Sequence, residues 1–211
     1  MTHTLNHMSL TIIDYGMGNL RSVQKAFEAA GAQSAAITDD PARVKSANKL
    51  VLPGVGAMAP AMEKLEKLGM VPAIKAHAQA GKPFLGICLG LQLLFDESDE
   101  GGRVKGLGLL KGRVTRFTGT IKVPHMGWNE LTFTDAGKPL FAGLGSNPFA
   151  YFCHSYFVVP ADNAVSAAMT TYGKEFSAAV HRDNIWGVQF HPEKSQETGL
   201  RILKNFVDMK S

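Results

Sequence analysis

The chain has 211 residues, 45% of them apolar and 19% charged, a composition that suits one globular domain with a sizeable core and excludes a disordered or fibrous chain. Its formal charge is only +4, and the lysines and arginines are scattered without a dense basic run, which argues against a nucleic-acid groove. Its two cysteines, Cys88 and Cys153, lie far apart and without CxxC spacing, so neither a disulfide framework nor a zinc site is expected.

Residues 1–9 carry histidines but no basic segment followed by an apolar stretch. They read as a loose N-terminal extension, with Met8 an alternative start, and not as a signal peptide. No apolar run reaches the ~18 residues of a membrane span. A soluble, reducing, cytoplasmic setting is the expectation. From residue 10 to residue 211 there is no repeat, low-complexity tract or linker, which predicts a single domain.

Leu10–Tyr15 is a short apolar run ending at Gly16-Met17-Gly18, the pattern of a buried strand and turn. Asn19 can cap a helix in which Leu20, Val23, Phe27 and Ala30 recur at helical spacing until Gly31 stops it. Strands are predicted at Ala35–Ile37 and Leu50–Leu52, the latter running into Pro53-Gly54-Val55-Gly56. Helices follow over Met58–Leu68 and Val71–Ala80. After the break at Gly81-Lys82-Pro83, Phe84–Cys88 is a further apolar strand that feeds a helix from Leu89. Strands alternating with helices in this way predict a parallel sheet covered on both faces.

The second half changes character. Leu107–Thr118, Glu130–Thr134, Tyr151–Val159, Ala164–Thr170, Phe176–His181 and Ile185–Phe190 read as strands punctuated by Gly, Asn, Asp and Pro. Arg182-Asp183-Asn184 is a turn, so antiparallel hairpins extend the parallel sheet. A last helix over Gln196–Met209 puts Leu200, Leu203, Phe206 and Val207 on one face. The fold class is α/β, a doubly wound three-layer α/β/α sandwich with an antiparallel extension in its second half.

Open parallel sheets bind ligands beyond the carboxyl ends of their strands, and three segments end there. Gly86-Ile87-Cys88-Leu89-Gly90 puts a thiol on a strand-to-helix turn with small neighbours, as a strained nucleophile needs. The backbone N–H of Leu89 is placed to help hold an oxyanion. By itself the pentapeptide fits a buried structural cysteine equally well. In Gly187-Val188-Gln189-Phe190-His191-Pro192-Glu193 an apolar strand ends in an imidazole, with a carboxylate two residues on. A cysteine nucleophile needs such a base, and the base needs an acceptor that fixes its tautomer. Pro53-Gly54-Val55-Gly56 allows close backbone approach and a second oxyanion donor, although alone it also fits an ordinary turn. Cys153 reads as a small core hydrophobe. His77, His125, His154 and His181 show no metal-ligand spacing, so no metal is assigned.

The order PGVG, GICLG, FHPE, spread over nearly the whole chain, resembles the triad-type class I glutamine amidotransferases. The resemblance implies Cys88 as nucleophile on the glutamine side-chain amide, His191 as general base and then acid, and Glu193 as the orienting carboxylate. It implies oxyanion donors at Val55, Gly56 and Leu89, a glutamyl thioester hydrolysed by water, and no cofactor. Gln92, Glu100, Ser155 and Tyr156 would bind the substrate, although a solvated acidic loop is the simpler reading of residues 96–100.

The segments IIDYGMGNL, PHMGWN, HSY and HPEKS resemble the glutaminase subunits of imidazole glycerol phosphate synthases. That resemblance implies a heterodimer with a HisF-like (β/α)₈ cyclase subunit. Ammonia would cross the barrel to a nucleotide intermediate of histidine biosynthesis, giving imidazole glycerol phosphate and the aminoimidazole carboxamide ribotide. Asn19, Met126, Trp128 and Lys194 would face this partner, with Met126 and Trp128 in a Pro/Gly-rich loop. The alternatives are the glutaminase of another synthase, a partner-independent hydrolase on the same scaffold, and a docking module without catalysis.

Overall fold

A computed structural model describes residues 10–210; the extension expected over residues 1–9 lies outside them. The first half alternates as its apolar runs and helical periods predict. In chain order it comprises β1 (Leu10–Ile13), α1 (Leu20–Ala29), β2 (Ala35–Thr38), α2 (Pro41–Ser46), β3 (Lys49–Gly54), α3 (Met58–Lys67), α4 (Met70–Gln79), β4 (Phe84–Cys88) and α5 (Leu89–Leu93). Asn19 caps α1 by accepting the Ser22 backbone N–H, and Asp40 caps α2 ahead of Pro41. The sequence reading did not include α2, which at six residues is too short to show a helical period.

The second half comprises β5 (Phe95–Ser98), β6 (Val104–Lys105), β7 (Leu110–Arg116), β8 (His125–Glu130), β9 (Thr132–Phe133), β10 (Phe149–His154), β11 (Tyr156–Pro160), β12 (Ser166–Tyr172), β13 (Lys174–Arg182), β14 (Ile185–Val188) and α6 (Gln196–Asp208). The main sheet has eight strands in the order β2-β1-β3-β4-β14-β13-β12-β9. It is parallel as far as β14 and antiparallel beyond. The parallel strands bury alternate residues on opposite faces. Ile12, Val51, Leu85 and Ile87 pack with Phe27 of α1 and Phe206 of α6, whereas Ile13, Leu50, Leu52 and Phe84 pack with Val44, Leu65 and Ile74 of α2 to α4. The three-layer α/β/α expectation and the antiparallel extension both hold.

Three expectations need correction. Tyr151–Val159 is not one strand: it breaks at Ser155 into β10, which pairs with β8, and β11, which joins β7, β5 and β6 in a separate sheet. Met126 and Trp128 lie on β8 and not in a loop. Asp96 and Glu97 lie on β5, which ends in the buried Ser98, so the acidic run is not a solvated loop at its start. In each case a pairing partner outside the segment itself supplies backbone hydrogen bonds that local composition does not reveal.

Candidate active site

Cys88 sits where β4 turns into α5, with φ 55° and ψ −108°. Such a backbone costs on the order of 1–3 kcal/mol in a non-glycine residue and persists only when its surroundings dictate it. The neighbours do so by leaving no room. A Cβ on Gly90 would lie 1.8 Å from the Leu52 carbonyl oxygen of β3, and one on Gly86 would lie 2.6 Å from the Gly90 carbonyl oxygen. Glycine at both places lets α5 press against the sheet and aim the thiol outward from the strand ends.

His191 reaches the same place from β14, which lies parallel to β4 and directly beside it. Its backbone N–H donates to the Tyr151 carbonyl at 2.9 Å. Its Nδ1 is 2.8 Å from Glu193 Oε1, with side-chain exposures of only 6% and 3%. With Nδ1 held by the carboxylate, Nε2 remains for the hydrogen bond with Cys88. Burial opposes a charge on the ring, but the hydrogen bonds and negative charge of Cys88 and Glu193 outweigh it and lift His191 to about 10. His191 therefore holds a proton at neutral pH.

A cavity of about 310 Å³ opens onto this pair. Its lining includes Val55, Gly56, Leu89, Gln92, Glu100, Ser155 and Tyr156, so every residue expected to bind substrate or oxyanion is brought together. Gln92 donates through Nε2 to the Tyr156 carbonyl at 2.9 Å and to Gln189 Oε1 at 3.2 Å. Glu100 Oε2 accepts the Met58 backbone N–H at 2.8 Å, which caps α3, whose own N-cap residue, Ala57, has no side chain able to do so. Asp96 is held by Lys111 and the Gly112 N–H, and Glu97 pairs with Arg103. Glu100 is thus the acid of this run that lines the cavity.

Of the four residues expected at a partner surface, Lys194 also lines the cavity, with Nζ 5.8 Å from the Tyr151 ring centroid. Asn19, Met126 and Trp128 lie outside its lining, all exposed. Cys153 is not the core residue expected; it is half-buried and lines the cavity, paired across the strands with Met126. Gln189 is a residue the sequence reading passed over. Fully buried, it places Nε2 3.8 Å from Cys88 Sγ. The available signal was an amide inside the apolar run Gly187–Phe190, since a buried polar side chain requires partners. Among the described residues no group of three or more His, Cys, Asp or Glu could hold a metal ion, and no helix is long and apolar enough to cross a membrane. A thiol, a protonated imidazole, an orienting carboxylate and backbone N–H groups around one cavity can carry out acyl transfer.

The family description "Glutamine amidotransferase class-I" matches residues 11–209. The sequence is 58% identical over 207 residues to the imidazole glycerol phosphate synthase subunit HisH of Syntrophotalea carbinolica, covering 95% of this chain and 100% of that protein. It is 50% identical over 199 residues to the subunit of the same name from Aquifex aeolicus, covering 94% and 96%. Among solved structures, one described as a glutamine amidotransferase superposes with a TM-score of 0.73 at 17% identity, covering 94% of this chain and 99% of that one. The structure of PurLQS from Thermotoga maritima superposes with a TM-score of 0.71 at 20% identity, covering 95% and 97%. At these identities the structural likeness speaks for the fold alone.

Proposed function

The chain belongs to the class I glutamine amidotransferases, and on that footing we propose that it hydrolyses glutamine as the glutaminase subunit of an imidazole glycerol phosphate synthase. The ammonia it releases serves histidine biosynthesis. The observation that carries the catalytic reading is the buried line from Cys88 through His191 to Glu193, whose first two members line the cavity.

The Cys88 sulfur, its proton already given up to His191, attacks the side-chain amide carbon of glutamine, and the carbonyl oxygen takes up the negative charge. The Leu89 N–H and the backbone at Val55 and Gly56 are the donors for that oxyanion. As the C–N bond breaks, the proton held by His191 passes to the leaving nitrogen, and ammonia departs. His191 then takes a proton from water as it attacks the thioester, and glutamate leaves with the thiol restored. Glu193 keeps the ring in the one tautomer that serves both steps. Gln92, Glu100, Ser155 and Tyr156 hold the amino-acid end of the substrate, Glu100 offering its charge to the ammonium.

Ammonia set free in water is protonated to a poor nucleophile, so delivery to a second subunit belongs to the same reading. That subunit is a (β/α)₈ cyclase, HisF-like, in a heterodimer whose contact on this chain runs over Asn19, Met126, Trp128 and Lys194. The free thiols suit the reducing cytoplasm. Cys88→Ala tests the assignment: glutamine-dependent synthesis by the two-subunit enzyme should vanish while synthesis from added ammonia persists. Glutamate formation by that variant at near the wild-type rate would remove Cys88 from the chemistry.

A further inference from the structure

The β8–β10 ribbon has two faces of opposite character. On one, Trp128 is paired with Tyr151 and Met126 with Cys153; on the other, His125 is paired with His154 and Gly127 with Phe152. Met126 is 61% exposed and Trp128 46%, against 3% for His125 and 6% for His154. Two imidazoles thus sit directly behind the face assigned to the partner.

Their hydrogen bonds run in one direction. Burial pushes His125 down to about 4 and His154 down to about 3, so both rings are neutral at physiological pH. A neutral imidazole has one N–H, and a carbonyl can only accept. His154 therefore spends its hydrogen at Nδ1 on the Tyr156 carbonyl, 2.8 Å away. Its Nε2 is left to accept from His125 Nδ1–H at 3.0 Å. His125 Nε2 in turn accepts from the Asn129 side-chain amide at 3.3 Å, and that amide also donates to the Thr171 carbonyl at 2.9 Å. At the other end, the same Tyr156 carbonyl accepts from Gln92, which donates onward to Gln189, whose amide faces Cys88. An unbroken run of hydrogen bonds joins Asn129 on the ribbon to the sulfur.

We propose that His125 and His154 are positioning residues that fix the Tyr156 carbonyl, and through it the Gln92 amide, in register with the partner-facing side of the ribbon. The proposal rests on the reading of this chain as a partner-bound glutaminase. With both of its amide hydrogens committed to Tyr156 and Gln189, Gln92 has its oxygen available for the substrate ammonium; a different orientation of the amide would present a repelling N–H. The imidazoles also pack among Phe117, Phe152 and Phe176, a role that an apolar side chain could fill. Only the imidazoles, or another side chain with an N–H at the Nδ1 position, can pass the donor on to the carbonyl.

The test compares wild type, His125→Leu and His125→Asn in the two-subunit complex, measuring glutamate formed from glutamine. Asparagine keeps an N–H where Nδ1 stood; leucine does not. His125→Leu should lose about tenfold in kcat/KM, chiefly through a raised KM for glutamine, which is the size of one hydrogen bond. His125→Asn should recover to within about threefold of wild type, since the donor returns although the ring does not. Equal kcat/KM for His125→Leu and wild type, or equal impairment of the two variants, would overturn the proposal. Failure of wild type itself to hydrolyse glutamine in the complex would instead overturn the functional reading beneath it. Nitrogen-15 spectra of wild type cover the case in which the variants do not fold. Both histidines should appear as neutral Nδ1–H tautomers at pH 7, and an Nε2–H signature at either one would overturn the relay.

Discussion

At the scale of single residues, the decisive quantity is where the His191 proton rests. Burial alone would strip it from the ring, yet Cys88 and Glu193 hold the group at about 10 against an ordinary 6.5. A folded-state pKa raised above the unfolded one adds stability that is complete below about 6.5 and is lost as pH rises towards about 10. Part of that gain belongs to Glu193, whose Oε2 is buried without a hydrogen-bond partner and whose Oε1 carries the ion pair. Glu193→Gln should therefore unfold at lower urea than wild type near pH 6, and the gap should close as pH is raised through this window. A gap that stays constant or widens with pH would mean that His191 is not held charged. The same variant loosens the tautomer of the ring, so glutamine turnover should fall by at least about tenfold.

At the scale of elements, the nucleophile turn is a packing problem before it is a chemical one. Gly90→Ala would drive a methyl into the Leu52 carbonyl at 1.8 Å, and the obstacle is backbone rather than the end of a flexible side chain. We expect a loss of roughly 2–3 kcal/mol in unfolding free energy, together with loss of glutamine hydrolysis, because α5 can retreat only by moving Cys88. A variant with native melting behaviour would show that the turn is looser than these distances require. This geometry also explains what could be read beforehand. The strand-and-glycine pattern of Phe84–Gly90 is local, and the strands of the first half, buried on both faces, announce themselves as continuous apolar runs. The ribbon was hidden for the opposite reason. On β8 His125 is buried and Gly127 and Asn129 are half-buried, while the large apolar side chains Met126 and Trp128 point outward, so its alternation is inverted and reads as loop. Ser155 breaks β10 from β11 without any Gly or Pro signal, and Gln189 joins the site only because β14 pairs with β4, a contact across about a hundred residues of sequence.

At the scale of the whole molecule, the proposed coupling to a partner subunit asks for an apolar surface beside the cavity. Of the six large apolar side chains exposed among the described residues, Leu68 and Leu200 lie on or beside helices, Val55 lines the cavity, and Met126, Trp128 and Phe149 lie on the β8–β10 ribbon, whose two strands lead to the cavity lining at Pro124, Cys153 and His154. Covering this surface would close the cavity's surroundings against water and leave released ammonia a route into the partner. Met126→Asp tests the idea at its most exposed point. The side chain is 61% exposed, so an aspartate costs the free chain under about 0.5 kcal/mol, whereas a charge buried without a partner in an interface centre costs about 2–3 kcal/mol. Affinity for the cyclase subunit should then fall by on the order of 100-fold in titration calorimetry, while the melting temperature of the free chain stays within a degree or two. Unchanged affinity would place the partner elsewhere on the molecule. If affinity falls as expected, saturating the variant with partner should restore the glutamine turnover that wild type shows in complex, since the proposed role of the methionine is to hold the partner and not to act in the cavity.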